Sequence, residues 1–271
     1  MPKIDLHTHS SFSDGTCTPE EVVHNALKAG VSVLALSDHD TTDGIAQAQQ
    51  VCRAHNLPFI SAVEISTRKH DHLHFLGYGV DINNLSFQEF LVQNRQKRRE
   101  RICKIIGKLQ QAGLEITEEE VFARAPHTVS RAHVADLLKA KKIVPTRQEG
   151  FRRYLVPGQV GYVRSAGVTA VEAITQIKRA GGIAVIAHPG MVSAHWNFPM
   201  WVEAGLKGIE VFYPAHTYSL KQDLLAIARK YGLFCTGGSD FHGPRAGRIA
   251  RPGVYIPQDH YNRLQHIFFN K

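Results

Sequence analysis

The sequence predicts an α/β fold, a barrel of parallel β/α units interrupted by one helical insert. Three observations predict it. Short apolar runs alternate with amphipathic helical patterns over most of the 271 residues. Helix starts and stops are marked by capping residues and glycines at the intervals such units require. The alternation lapses once, between about residues 86 and 165.

The strands read as residues 3–8, 32–37, 58–63, 73–78, 183–187, 208–212 and 233–237, with a last one near Val254 to Ile256. In Thr18-Pro19-Glu20-Glu21 the threonine is an N-cap, the proline suits the first helical position and Glu21 completes a capping box. Ser86 to Glu89, Thr117 to Glu120 and Thr169 to Glu172 repeat that spacing, and Gly30, Gly113, Gly181 and Gly232 stand where helices should stop. In the lapse, two or three helices follow one another with no convincing strand between them. Residues 1–85 and 166–271 are therefore assigned to the barrel, and 86–165 to an insert forming a lid or substrate-binding subdomain.

A chain of this length can bury a sizeable core without staples. Cys17, Cys52, Cys103 and Cys235 stand far apart with no C-x-x-C pair, which argues against a disulfide framework and a cysteine zinc site, so a cytoplasmic protein is expected. No apolar run reaches the roughly 18 residues of a membrane span, and the polar amino terminus reads as unprocessed. The net charge of +8 is uneven. Residues 86–165 hold 16 Lys plus Arg against 8 Asp plus Glu, whereas the remainder holds 16 of each. A solvated basic surface and a collector for an anionic substrate both fit that asymmetry.

The chemistry concentrates at strand ends. His7-Thr8-His9 places two imidazoles on one face through the period of two, and Asp14 follows in a Ser-Asp-Gly turn. The second strand leads into Ser37-Asp38-His39, and the third into Glu64, a carboxylate costly to bury without a metal or cation. The fourth carries His74, with His70 and His72 expected to be solvent-exposed in a hairpin turn. The later strands lead into His188-Pro189 and Ser239-Asp240-Phe241-His242. Six strands thus deliver His, Asp or Glu to one end of a barrel, the end where β/α barrels keep their active sites. Six imidazoles and three carboxylates without thiolate suit Mn, Fe or Zn better than Ca or Mg, and nine donors imply two or three ions. His24, His55, His195, His216, His260 and His266 read as surface or packing residues; His127 is left open.

Those motifs resemble the metal-binding motifs of the PHP (polymerase and histidinol phosphatase) superfamily over nearly the whole chain. The resemblance implies a distorted (β/α)7 barrel, TIM-like and amidohydrolase-like, holding three divalent ions, commonly manganese. It implies that His7, His9 and Asp240 hold one ion, that Glu64 bridges to a second held with His74 and His188, and that Asp14, His39 and His242 hold the third. The chain is most similar to stand-alone phosphoesterases with a helical insert after the fourth strand, some of which act on nucleoside 3',5'-bisphosphates and short RNA 5' ends. Ser130-Arg131-Ala132-His133 and Phe151-Arg152-Arg153-Tyr154-Leu155 are similar to that branch's phosphate-contacting motifs, which implies substrate contacts by Arg131, His133 and Arg153. Glu64 and His133 are the implied catalytic groups, with His133 or water protonating the leaving group. The implied partner is a small phosphorylated nucleotide or short oligonucleotide, without stable binding of long nucleic acid or membrane. One departure leaves the substrate open: neutral Gly190-Met191-Val192 stands where relatives often carry a basic residue after His-Pro. Another small phosphoester such as histidinol phosphate, and a non-enzymatic metal-binding scaffold, remain as alternatives.

Overall fold

The chain begins with β1 (Lys3–Ile4), α1 (Pro19–Lys28), β2 (Leu34–Leu36), α2 (Ile45–Ala54), β3 (Phe59–Ser66) and β4 (His74–Tyr78). Four helices follow with no strand between them: α3 (Leu85–Gln111), α4 (Glu118–Phe122), α5 (Arg131–Ala140) and α6 (Arg147–Gly150), the last running into a π-helical turn over Phe151–Leu155. The alternation then resumes with α7 (Ala170–Arg179), β5 (Ile183–Ile186), α8 (Phe198–Ala204), β6 (Gly208–Phe212), α9 (Tyr218–Tyr231), β7 (Phe234–Gly237), β8 (Val254–Tyr255) and α10 (Gln258–Phe268). This is a computed structural model, and it describes residues 1–247 and 249–269.

One sheet has the order β2-β3-β4-β5-β6-β7. The pairs β2/β3, β5/β6 and β6/β7 are parallel. Strand β4 runs against both its neighbours, which corrects the expectation of uniformly parallel units. The sheet curls, and the segment after β1 spans its two ends. Asp5 exchanges backbone hydrogen bonds with Val33 and Ala35 on the β2 side, while Leu6 N–H donates to Gly237, Asp240 N–H to His7 and His9 N–H to Phe241 on the β7 side. The strand expected over residues 3–8 is regular only at Lys3–Ile4, because beyond it the backbone divides its bonds between two strands. The last strand pairs antiparallel with β1 and lies outside the six-stranded sheet.

Helix starts follow the local chemistry. Thr18 and Thr117 form full capping boxes, and Thr169 accepts from the Glu172 N–H. The α3 cap is Asn84, whose side chain accepts from the Phe87 N–H, and exposed Ser86 is already helical. The turn closed by Asn84 N–H to Asp81 delivers the chain in helical phase two residues before the expected start. Helix α3, about 40 Å long at 1.5 Å per residue, joins two cores. Phe87, Phe90 and Leu91 pack into the core of the curled sheet with residues such as Leu76, Val185 and Ile209. Further along, Ile102, Ile105, Ile106 and Leu109 form a second cluster with Val134, Leu137, Leu138 and Leu155. Among the described residues no helix is long and apolar enough to cross a membrane.

Candidate metal centre

The alternation of the segment after β1 puts Thr8 outward, where its hydroxyl donates to Ala35 O, and turns His7 and His9 inward. Both imidazoles meet Glu64, which β3 projects from within the strand rather than from its end. The Nε2 atoms of His7 and His9 and Nδ1 of His39 each lie 3.2 Å from Glu64 Oε2. His74 Nδ1 lies 2.8 Å and His188 Nε2 3.0 Å from Glu64 Oε1. Five histidines from four segments thus surround one fully buried carboxylate. His74 reaches the cluster from the first residue of β4, because that strand is antiparallel and its start lies beside the others' ends.

Asp240 and Asp14 extend the cluster. Asp240 Oδ1 is 3.2 Å from His9 Nε2 and 3.5 Å from His7 Nε2, and Asp14 Oδ1 is 3.2 Å from His242 Nε2. Among the described residues three groups have converging donor atoms: His9, Asp14, His39 and His242; His7, His9, Glu64 and Asp240; and His39, Glu64 and His74. The partition differs from the implied one. His9, His39 and Glu64 each belong to two groups, and His188 belongs to none of the three, its Nε2 meeting Glu64 and its ring stacking on that of His7.

The ring orientations are set by hydrogen bonds to further side chains and to the backbone. His7 Nδ1 lies 3.1 and 3.3 Å from the two oxygens of Glu210 and donates to that carboxylate, which leaves Nε2 turned toward Glu64. His242 Nδ1 donates to Asp240 O at 2.7 Å, which turns its Nε2 lone pair toward Asp14. Asp14 Oδ2 accepts from the Ser130 hydroxyl at 3.0 Å. His7 Nε2, His9 Nε2, His39 Nδ1, His188 Nδ1 and Asp14 Oδ1 are buried with no hydrogen-bond partner among the described residues. Burying so many polar atoms unsatisfied is costly, and divalent cations fit that donor set.

The electrostatics agree. Burial pushes the Glu64 carboxyl up, but His39, His7 and His74 outweigh it and hold Glu64 well below the usual carboxylate range. Burial lowers His9, yet the Asp240 and Glu64 carboxylates, each 3.2 Å from its Nε2, prevail and raise it to about 10. Those carboxylates favour positive charge at His9, whereas burial holds His39 and His74 below the usual imidazole range.

The backbone is also shaped there. Asp40, His188 and Asp240 have positive φ values of 51°, 27° and 56°, and such non-glycine conformations persist where the surroundings impose them. Gly238 has no room for a side chain, since a Cβ would lie 2.3 Å from His7 Cβ and 2.9 Å from Glu210 Oε1.

The cluster forms one wall of a cavity of about 580 Å3, through His39, Glu64, His74, His188, Asp240, His242 and Asp14. Arg98, Arg101, Arg131, Arg147 and Arg152 line the cavity as well, with Phe151, Val156 and Pro157. Arg131 Nη1 donates to Asp71 Oδ2 at 2.9 Å and to Leu155 O at 3.0 Å. Arg153 is half-exposed on Glu149 and does not line the cavity; the neighbouring Arg152 does. His133 is buried and is not among the lining residues, its Nδ1 accepting from Ser130 N–H at 3.0 Å. His70 and His72, expected to be exposed, are half-buried cavity residues, and the His195 ring lies 4.9 Å from that of His70. His216 is buried and hydrogen-bonded to Val211 O, and His127 is exposed against the Phe12 ring.

Sequence reasoning missed Glu210, Asp40, Asp5 and Tyr213. Glu210 Oε2 also accepts from His188 N–H at 2.6 Å. Asp40 accepts from Arg98 Nε at 2.5 Å and from Asn94, tying the loop of His39 to α3. Asp5 accepts from the Ser239 hydroxyl and backbone, steadying the loop of Asp240. Tyr213 OH meets Asp240 Oδ2 at 3.4 Å. A charged residue inside the apolar run Gly208 to Phe212 was the one legible signal, for Glu210.

The PHP domain model matches residues 5–182. The chain belongs to the PHP family. It is 34% identical over 255 residues to the 3',5'-nucleoside bisphosphate phosphatase of Chromobacterium violaceum, covering 91% of this chain and 90% of that one. It is 35% identical over 249 residues to the 5'-3' exoribonuclease Rnm of Escherichia coli, covering 89% and 85%. Its fold is similar to a crystal structure described as a metal-dependent phosphoesterase from Bifidobacterium adolescentis, with a TM-score of 0.87, 29% identity and coverage of 96% and 94%.

Proposed function

We propose that this PHP protein is a hydrolase of phosphate esters of small nucleotides, with nucleoside 3',5'-bisphosphates as the substrate class that suits its cavity best. The observation that carries this reading is the convergence of five imidazoles on buried Glu64 at the wall of a cavity also lined by five arginines. The family and the named activities of its relatives point the same way.

In this reading His7, His9, Asp14, His39, Glu64, His74, His188, Asp240 and His242 hold two or three transition ions, with manganese preferred and iron or zinc compatible with the donors. Bound ions would lower the pKa of a coordinated water toward neutrality and stabilise charge on the leaving oxygen. Glu64 joins the ion sites, and Glu210 fixes the His7 tautomer. Ser130 holds Asp14, and Arg131 offers paired donors to phosphate oxygens. His133 braces Ser130 and, not being among the residues that line the cavity, is assigned no contact with the leaving group. Residues 86–165 serve as the substrate-binding lid, and the segment 5–9 acts as a seventh stave of the barrel formed by 1–85 and 166–271. A single-phosphate substrate such as histidinol phosphate would leave much of the guanidinium wall unused.

Phosphate release from nucleoside monophosphates, 3',5'-bisphosphates and histidinol phosphate, with manganese added, tests the proposal. Fastest turnover is expected on a 3',5'-bisphosphate. Hydrolysis of histidinol phosphate alone, or of none of the panel, would overturn it.

A further inference from the structure

The arginines of the cavity are not equally neutralised. Arg98 has Asp40, Arg147 has Asp136 and the exposed Arg152 has Glu149. Arg101 and Arg131 share one carboxylate, Asp71, which sits in the turn before β4 and gives Oδ1 to Arg101 at 2.7 Å and Oδ2 to Arg131 at 2.9 Å. All three side chains are largely buried, with relative exposures of 11% for each arginine and 5% for Asp71. Asp71 thus holds two guanidiniums side by side on the cavity wall, where partial burial weakens the screening of their charge by solvent.

Arg101 is held in a fixed pose. Its Nε and Nη2 both donate to Val163 O, at 3.0 and 2.7 Å, and Nη2 also donates to Asp71. Its Nη1 has no hydrogen-bond partner among the described residues, is not among the buried unpartnered atoms, and belongs to a cavity-lining residue. Burial and the nearby charges of Arg131 and Arg98 outweigh Asp71 and bring Arg101 down to about 10, so it is charged at neutral pH and short of anions.

We infer that Arg101 is a substrate-binding residue that, with Arg131, receives the second, non-reacting phosphate of the substrate, while Asp71 positions both guanidiniums. The inference rests on the phosphoesterase reading above. A phosphate between them would meet the free Nη1 face of Arg101 and the fork of Arg131 with charge-assisted hydrogen bonds. Asp71 keeps the two like charges together before substrate arrives. One guanidinium comes from α3 and the other from α5, while Asp71 lies in the β3–β4 turn.

The test compares adenosine 3',5'-bisphosphate with adenosine 5'-monophosphate in the manganese-loaded wild type, Arg101→Ala and Arg101→Lys. Wild type should prefer the bisphosphate. In Arg101→Ala the ratio of kcat/KM values, bisphosphate over monophosphate, should fall roughly ten- to hundredfold, mainly through KM. Arg101→Lys, which restores the charge without the planar fork, should recover part of it. An unchanged ratio in Arg101→Ala, or equal losses on both substrates in both variants, would overturn the assignment and leave the phosphoesterase reading standing. A wild type that hydrolyses neither nucleotide would instead overturn the phosphoesterase reading, and this inference with it.

Discussion

At the scale of single residues, the nine proposed ligands were legible because a histidine or carboxylate following an apolar strand is an anomaly whose cost needs explaining. Glu210 carries the same anomaly, but its role depends on facing His7 across 203 positions, which no local pattern discloses. Arg153 was expected in the cavity and Arg152 is found there, because the π-turn over Phe151–Leu155 takes up an extra residue. Each residue turns a helix by about 100°, so a one-residue change of phase swaps the neighbour that faces inward. The account predicts graded effects for two isosteric changes. Glu210→Gln keeps the size of the group that orients His7 but removes its charge, and should lower metal affinity about 10- to 100-fold. Glu64→Gln, which strips the charge from the centre of five imidazoles, should lower it further and abolish turnover. Metal titration of the stripped proteins decides: wild-type affinity in Glu210→Gln would show that His7 needs no such partner, and near-normal kcat in Glu64→Gln would show that Glu64 joins no ion sites.

Among the elements, caps were read well where one candidate stood alone, as at Thr18 and Thr117, and misread where two competed. Both Asn84 and Ser86 have capping chemistry, and the turn from Asp81 decides for the first. Asn84→Ala should therefore cost about 1 kcal/mol of stability, whereas Ser86→Ala at an exposed helical position should be near neutral. Thermal unfolding of the two variants measures the difference, and the reverse ranking would place the helix start at Ser86. Strand direction was the larger error. Apolar runs show where strands lie but not which way they point, and β4, inferred parallel, is antiparallel. Its histidine was still assigned to the correct end of the sheet, because His74 begins a reversed strand where the other ligands follow forward ones.

For the molecule as a whole, the break in alternation exposed the helical segment, and its charge excess matches the arginines found along the cavity. The second hydrophobic cluster and the span of α3 across both cores were not legible, since periodicity marks a buried face without saying what covers it. Nor was the way residues 5–9 join the ends of the curled sheet, which depends on contacts with β2 and β7. That junction brings His7 and His9 to Glu64 and so sets the metal site. The claim at the centre of the account is that the cluster around Glu64 is multinuclear and carries the phosphoesterase activity. Elemental analysis of protein stripped with chelator and reloaded in manganese, with phosphate release from a nucleoside 3',5'-bisphosphate followed at each step of loading, tests it most directly. The account predicts two or three ions per chain, with activity returning only as occupancy passes one; full activity at one ion or fewer would contradict it.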